Sequence, residues 1–285
     1  MIKKQNQVIK STGERVDFSW NKVSRSARRV GATKETAGRI ADCVEKDVRD
    51  GTTTLEIWKR IKQLLEQESP RLAMKFDLPR AMRRLGPTGF PFEKYIAAIL
   101  KHQGYQIEVG KWVRGKCVRH EVDILASNND FYYLGECKYH NRRGLKIDLP
   151  TTLHYSARFL DLEQGPDILK RVKGREIKTV LITNTQFTTQ AIKYFKCVGK
   201  DLWGWRYPVG QGLQAIIDRE KLYPITILPS FKGTRLKQAF SRQGKIMAKD
   251  VLTMDAKKVA HQLGCSSSLI VSLIEEANQL FKIKD

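Results

Sequence analysis

The sequence predicts a multidomain chain of the α+β and α/β classes: a mostly helical N-terminal domain with a small β-hairpin sheet, a central mixed sheet flanked by helices, and a small helical C-terminal region. Three observations predict it. The 285 residues exceed the usual single domain, and a hydrophobic content of 41% suffices for real cores. Apolar residues recur at helical spacing from position 21 to 85 and again from 234 to 281, whereas between 122 and 183 they gather in short runs bounded by turn residues. Strand, helix and strand follow one another in that middle stretch, the order that builds a sheet with helices packed on it. The expected partition is 1–86, 87–230 and 231–285, with short linkers near Gly86-Pro87-Thr88-Gly89 and Ser230 to Gly233 and no internal repeat or low-complexity run.

Taken in order, Gln7 to Lys10, the turn Ser11-Thr12-Gly13 and Arg15 to Phe18 read as a hairpin. Asn21–Val30, Thr33–Asp50, Thr54–Glu68 and Arg71–Leu85 then form amphipathic helices, with Thr33, Thr54 and Ser69-Pro70 at their starts and Pro79 set to kink the last. Pro91 to Leu100 reads as a helix with Phe92, Ile96, Ile99 and Leu100 on one face, ended by Gly104-Tyr105. Val122–Ala126 and Phe131–Gly135 are strands joined by the polar turn Ser127-Asn128-Asn129-Asp130. A helix follows over Asp148–Leu162, preceded by Arg142-Arg143 as candidate phosphate contacts, then a buried strand at Lys178–Thr183 and a helix at Thr188–Cys197. Trp203 and Trp205 are read as packing before base stacking. Beyond Pro224 and Pro229 helices are expected at Thr234–Arg242, Ala248–Leu252, Asp255–Leu263 and Ser267–Phe281, with Asp255 and Ser266 or Ser267 as caps. This tail suits a DNA-binding helical hairpin, a docked hairpin or a dimer contact equally.

The chemistry concentrates at the ends of the two central strands. Asp123 lies in the first, and Glu136-Cys137-Lys138 continues the second. Strand alternation sends Glu136 and Lys138 to one face and Cys137 to the other. Two carboxylates hold a hard divalent cation, Mg²⁺ or Mn²⁺, through oxygen, and a lysine beside them steers a water toward phosphorus. That combination suits cutting a phosphodiester. Glu93 opens the preceding helix, where either the dipole or a role at the site accounts for it. Glu121, two residues before Asp123, is a possible accessory acid. His120 and His140 flank the motif without a partner at zinc-ligand spacing, which favours phosphate contact or surface placement over metal binding.

The stretch Gly89-Phe90-Pro91-Phe92-Glu93, Gly104-Tyr105, His120–Ala126 and Gly135–Tyr139 closely resembles the Mrr-type restriction endonucleases of the PD-(D/E)xK nuclease superfamily, and more distantly archaeal Holliday-junction resolvases. The likeness continues through Val180–Thr185, Gln190-Ala191 and Gly204–Pro208. It implies a restriction-endonuclease-like fold, Asp123 and Glu136 as metal ligands, Lys138 as the residue that positions the nucleophilic water, and Glu93 as an acid reaching the metal through a water. It also implies endonuclease activity on DNA, in defence against foreign DNA. Two other readings stay open: a nucleotide-responsive DNA-binding regulator without catalysis, and a repair nuclease selective for branched DNA.

The spacing of Val8, Lys10, Gly13, Phe18 and Lys22, with Gly51-Thr52-Thr53-Thr54 downstream, resembles the ATP-cone, the regulatory module of ribonucleotide reductases and of the repressor of their genes. The resemblance covers about residues 1 to 86. It implies ATP or dATP as a regulatory ligand, with Lys10 and Lys22 on phosphates, Gly13 letting the backbone approach and Thr54 contacting base or ribose. Ser11 stands where many reductase cones carry arginine. No Gly-x-x-x-x-Gly-Lys-Ser/Thr occurs in the chain, which argues against a P-loop motor, so nucleotide is expected to be sensed and not hydrolysed.

Lys and Arg number 52 against 30 Asp and Glu, a net charge of +22 that points to a polyanionic partner, DNA before membrane. No stretch approaches a membrane span, and Met1 to Asn6 lacks the apolar core of a signal peptide. The five scattered cysteines suit a reducing cytosol and no structural zinc. The chain is thus expected to be a cytoplasmic, metal-dependent deoxyribonuclease that binds adenine nucleotide and assembles as a homo-oligomer.

Overall fold

A computed structural model describes residues 6–86 and 88–282. Residues 1–5 of the stretch Met1 to Asn6, read as lacking a signal-peptide core, and Pro87 of the first linker lie outside the described residues. The chain clusters into two compact units, one made of 1–81, 226–232 and 251–285, the other of 82–225 and 233–250.

In the first unit, β1 (Gln7–Ile9) and β2 (Arg15–Asp17) form the hairpin, with Gly13 at φ 84° in the turn, where a side chain would be strained. Helices α1 (Trp20–Arg29), α2 (Lys34–Asp47), α3 (Thr54–Glu68) and α4 (Pro70–Arg83) follow. Thr33 caps α2, but the cap of α3 is Thr53, not Thr54: its hydroxyl accepts from the Glu56 N–H while the Glu56 carboxylate accepts from the Thr53 N–H, a reciprocal pair that fixes the start. α2 ends three residues before the expected Asp50 because Val48 is buried and turns extended, ψ 131°. α4 continues through Pro79 to Arg83. Val8, Phe18, Val23, Ile40, Val44 and Leu65 bury against one another in this core.

The second unit begins with α5 (Phe90–His102), β3 (Gln106–Arg114), β4 (Arg119–Ser127) and β5 (Phe131–Lys138). It continues through β6 (Lys146–Ile147), α6 (Leu149–Glu163), α7 (Pro166–Val172), β7 (Glu176–Thr183), β8 (Gln186–Phe187), α8 (Thr189–Cys197), β9 (Asp201–Trp203) and α9 (Leu213–Glu220). The main sheet has the order β3-β4-β5-β7-β9, antiparallel in its first three strands and parallel from β5 onward. A two-stranded sheet pairs β6 with β8. Both central strands run past the expected hairpin. β5 stays extended to Lys138 because β7 pairs with it along that whole length, to Lys138↔Thr183. Leu125, Leu134, Leu181 and Leu202 of the sheet share one core with Phe159 and Leu162 of α6 and Phe195 of α8. Trp205 is buried, while Trp203 is half-buried and its indole donates to the Gln211 carbonyl at 3.2 Å.

The turn between β3 and β4 is pressed against the end of α6 at two glycines. A Cβ on Gly165 would lie 2.3 Å from the Arg114 carbonyl oxygen, and one on Gly115 would lie 2.1 Å from Asp161 Oδ2. Gly165→Ala drives a methyl group into backbone that has no rotamer to change, so a loss of about 3 kcal/mol is expected in a urea-unfolding titration. A variant as stable as the parent would mean that this approach is looser than described.

After a further helix, α10 (Thr234–Arg242), the expected helix at Ala248–Leu252 is a single 3₁₀ turn, Ala248–Val251. The Asp250 carboxylate accepts the Ile246 and Met247 N–H groups at 2.9 and 2.8 Å, which caps the start of that turn. Asp255 and Ser266 cap α11 (Ala256–Leu263) and α12 (Ser267–Phe281). Within the first unit, Thr226 donates to the Ala81 carbonyl and the Ser230 hydroxyl to Glu276, so that short segment is tied both to α4 and to α12. No helix among the described residues is long and apolar enough to cross a membrane, and the five cysteines are free.

Candidate active site

The antiparallel ladder between β4 and β5 ends at Ile124↔Gly135. One residue further the Cys137 N–H donates instead to Asp123 Oδ2, at 2.7 Å, which fixes the carboxylate at the point where the strands part. Glu136 is 3% exposed and Lys138 is half-buried beside it. From the first turn of α5 comes Glu93, packed close over Gly89 at a helix start that no side chain caps. A cavity of about 540 Å³ is lined by Glu93, Glu121, Asp123, Glu136 and Lys138, so the acids and the lysine picked from the sequence meet in one place.

The crowding shows in the protonation of these groups. Burial, then the charge of Asp123, pushes Glu136 up to about 8, against the pull of Arg158. Burial, then Asp123 and Glu121, raises Glu93 to about 7, and burial likewise raises Asp123 despite the Cys137 hydrogen bond. The folded protein therefore binds protons at these carboxyls more tightly than the unfolded chain, and between roughly pH 5 and 8 its stability should fall as pH rises. Added Mg²⁺ should flatten that fall. Melting curves across the range would check this, and Glu136→Gln should remove much of the slope; a slope untouched by that change would locate its origin elsewhere.

Several residues at the cavity were not picked from the sequence. Arg158 of α6 donates through Nε to Glu136 Oε1 at 3.1 Å and through Nη2 to the Glu121 carbonyl. Tyr155, one turn earlier, also lines the cavity. The available signal was positional: Thr152, Ser156, Phe159 and Leu162 form the buried stripe of α6, and Tyr155 and Arg158 lie along its edge. His120 contacts Asp161 Oδ2 through Nε2 at 2.7 Å, a role that neither sequence reading gave it. Although burial opposes it, hydrogen bonds from His120 and from the Cys117 and Val118 N–H groups hold Asp161 down at about 2. Asp161 thereby ties the tip of the β3–β4 hairpin to α6. His140 is held by Asn184, which accepts from its N–H at 2.9 Å and donates to its carbonyl at 2.8 Å.

Among the described residues no set of three or more His, Cys, Asp and Glu side chains stands as a ready metal cage. Asp123 and Glu136 still offer hard oxygen donors; burial is the main cause that raises Glu93, Asp123 and Glu136, and neighbouring carboxyls add to it, so a divalent cation there would meet several acids in one cavity. The residues fit such an ion.

In the N-terminal unit Ile9 bridges Thr53 and its N–H donates to the Thr52 carbonyl at 3.0 Å, which brings Lys10 and Thr54 to the same edge. Lys10 is paired with Glu14 at 2.9 Å, Gly13 sits in the exposed turn, and Lys22 is on the exposed face of α1.

Comparison with known proteins gives three likenesses. The AF1548-like C-terminal family model matches residues 223–281. An uncharacterized protein of Archaeoglobus fulgidus is 32% identical over 185 residues, which span 65% of this chain and 99% of that protein. The crystal structure of AF1548, a protein of unknown function, matches with a TM-score of 0.57 at 30% identity, covering 68% of this chain and 98% of that one.

Proposed function

This chain belongs to the family of the uncharacterized Archaeoglobus fulgidus protein, and from its own residues we propose that it is a divalent-metal-dependent DNA endonuclease of the Mrr-like kind. The observation that carries the reading is the convergence of Asp123, Glu136, Lys138 and Glu93 from two strands and a helix on one open cavity.

Asp123 and Glu136 would hold the cation, which when bound supplies Lewis-acid polarisation of the phosphate and a more acidic water. The rest is the work of this chain's own groups. Arg158, paired with Glu136 at 3.1 Å, favours its carboxylate form against the burial that raises it, and the Cys137 N–H keeps Asp123 turned into the cavity. The Lys138 ammonium orients water for in-line attack on phosphorus and offsets charge developing on the phosphoryl oxygens as the P–O bond breaks. Glu93, with its ordinary range shifted to about 7, can take or give a proton near neutrality.

One observation favours a second reading, DNA binding without cleavage: Arg158 already provides a positive partner for Glu136. Cleavage of supercoiled, linear, methylated and four-way-junction DNA by the purified chain, in Mg²⁺, in Mn²⁺ and in chelator, separates the two. Metal-dependent nicking is the expected result; binding without any strand scission would favour the regulator. The junction arm tests the repair reading, and methylated against plain DNA tests a defence role.

The N-terminal unit is proposed to sense ATP or dATP in the manner of an ATP-cone, using Lys10, Gly13, Lys22 and Thr54, with a change in homo-oligomeric state as its output. A triphosphate would displace Glu14 from Lys10, exchanging one anion for another of higher charge. Calorimetry of the full chain with each nucleotide, followed by light scattering, checks this; no heat of binding at millimolar nucleotide would leave the segment as a basic accessory domain.

A further inference from the structure

Glu136 is a carboxylate almost wholly removed from water, and among the described residues its ion-pair partner is Arg158. A buried carboxylate needs such a partner. The pairing is one-armed: Nε faces Glu136 Oε1, while Nη2 is spent on the backbone carbonyl of Glu121. Arginine pairs most strongly with a carboxylate through two parallel N–H groups, so this contact forgoes part of what the residue can offer. The two partners also differ in access. The Glu136 side chain is 4% exposed and that of Arg158 is 23%, with the guanidinium bordering a cavity of about 540 Å³. Arg158 can leave toward the cavity; Glu136 cannot follow.

Resting on the nuclease reading, we propose that Arg158 is a displaceable counter-ion: it stands on Glu136 until a divalent cation takes its place, and the freed guanidinium then clamps a phosphate of DNA in the same cavity. Asp123, Glu93 and Glu121 face that cavity too, so a dipositive ion gains more from the cluster than one guanidinium does. A guanidinium released from a carboxylate has its planar fork open to phosphate oxygens, which match it in the same bidentate way. Cation and DNA therefore favour each other's binding, and by linkage the coupling must be reciprocal. Arg158 acts here as a substrate-positioning residue.

The test uses the full chain carrying Lys138→Ala, so that DNA is not consumed, and reads affinity for a short fluorescent duplex by anisotropy with Mg²⁺ or with chelator. Mg²⁺ is expected to tighten binding by about tenfold, and with Arg158→Gln added that response should shrink to less than about twofold. Mn²⁺ binding without DNA, read by electron paramagnetic resonance, should be retained in Arg158→Gln, because the residue competes for the site and does not build it. Arg158→Lys keeps a charge without the fork, and should bind Mn²⁺ yet lose most of the coupling. Melting curves identify any variant that fails to fold, in which case Arg158→Lys carries the test.

Full Mg²⁺ coupling in both Arg158 variants would overturn the proposal, as would loss of Mn²⁺ binding in a folded Arg158→Gln. If the parent chain neither binds Mn²⁺ nor cuts DNA, the nuclease reading itself fails. If it does both and the coupling ignores Arg158, only this proposal falls.

Discussion

Alanine at Asp123 or at Lys138 is expected to slow DNA cleavage in Mg²⁺ by at least about 10²–10³-fold, while DNA affinity measured in chelator changes little. The two losses differ in origin. Asp123→Ala removes an oxygen donor and leaves the Cys137 N–H without the acceptor it has at 2.7 Å, so cation affinity should fall with rate. Lys138→Ala leaves the donor set intact, so cation affinity should persist while rate is lost. Glu136→Ala should lose cation affinity and rate in the same way, while the Arg158 it frees should tighten DNA binding in chelator. Binding and cutting should thus come apart, because on the nuclease reading nearly all of the 52 Lys and Arg that would meet phosphate lie outside these three positions. If Asp123→Ala and Lys138→Ala both cut as fast as the parent, this cavity is not where the chemistry occurs.

Raising salt from about 50 to 200 mM should weaken binding to duplex DNA by about 10³-fold if about six phosphates are contacted, because each neutralised phosphate releases condensed counterions. The 52 Lys and Arg supply that potential, and the exposed pair Arg142-Arg143, between β5 and β6, is close in sequence to Lys138. Replacing both by glutamine should lower the slope of log affinity against log salt by about 1 to 2 without altering the metal dependence of cleavage. Equilibrium titrations at four salt concentrations give the slope. A flat response would argue for a partner other than nucleic acid.

Local rules were legible along the chain, because helix caps, turns and strand alternation depend on residues only a few positions apart. Thr33, Asp255 and Ser266 sit at the helix starts where hydroxyl and carboxylate caps belong. Thr54–Glu68, Thr234–Arg242 and Ser267–Phe281 have the bounds that their periodicity implies. Helices α7 and α9, seven and eight residues long, escaped where the equally short α11 did not, because Asp255 marks the start of α11 while Gly165 and Gly212 offer no side-chain cap. The segment after Met247 escaped for another reason, since four residues carry no period that separates a 3₁₀ turn from an α-helix.

The sequence by itself determined the fold class, a basic chain, and Asp123, Glu136 and Lys138 as neighbours, since a hairpin and an alternating strand put them together without help from elsewhere. Tertiary structure alone decided what surrounds them. Arg158 reaches Glu136 across 22 residues and Asp161 reaches His120 across 41, distances over which no local period carries information. The position of Glu136 near 8 was likewise invisible in sequence, because it follows from burial and from charges that only folding brings near. Sequence names the groups that can do chemistry; packing sets their dielectric, their partners and hence the state in which they wait.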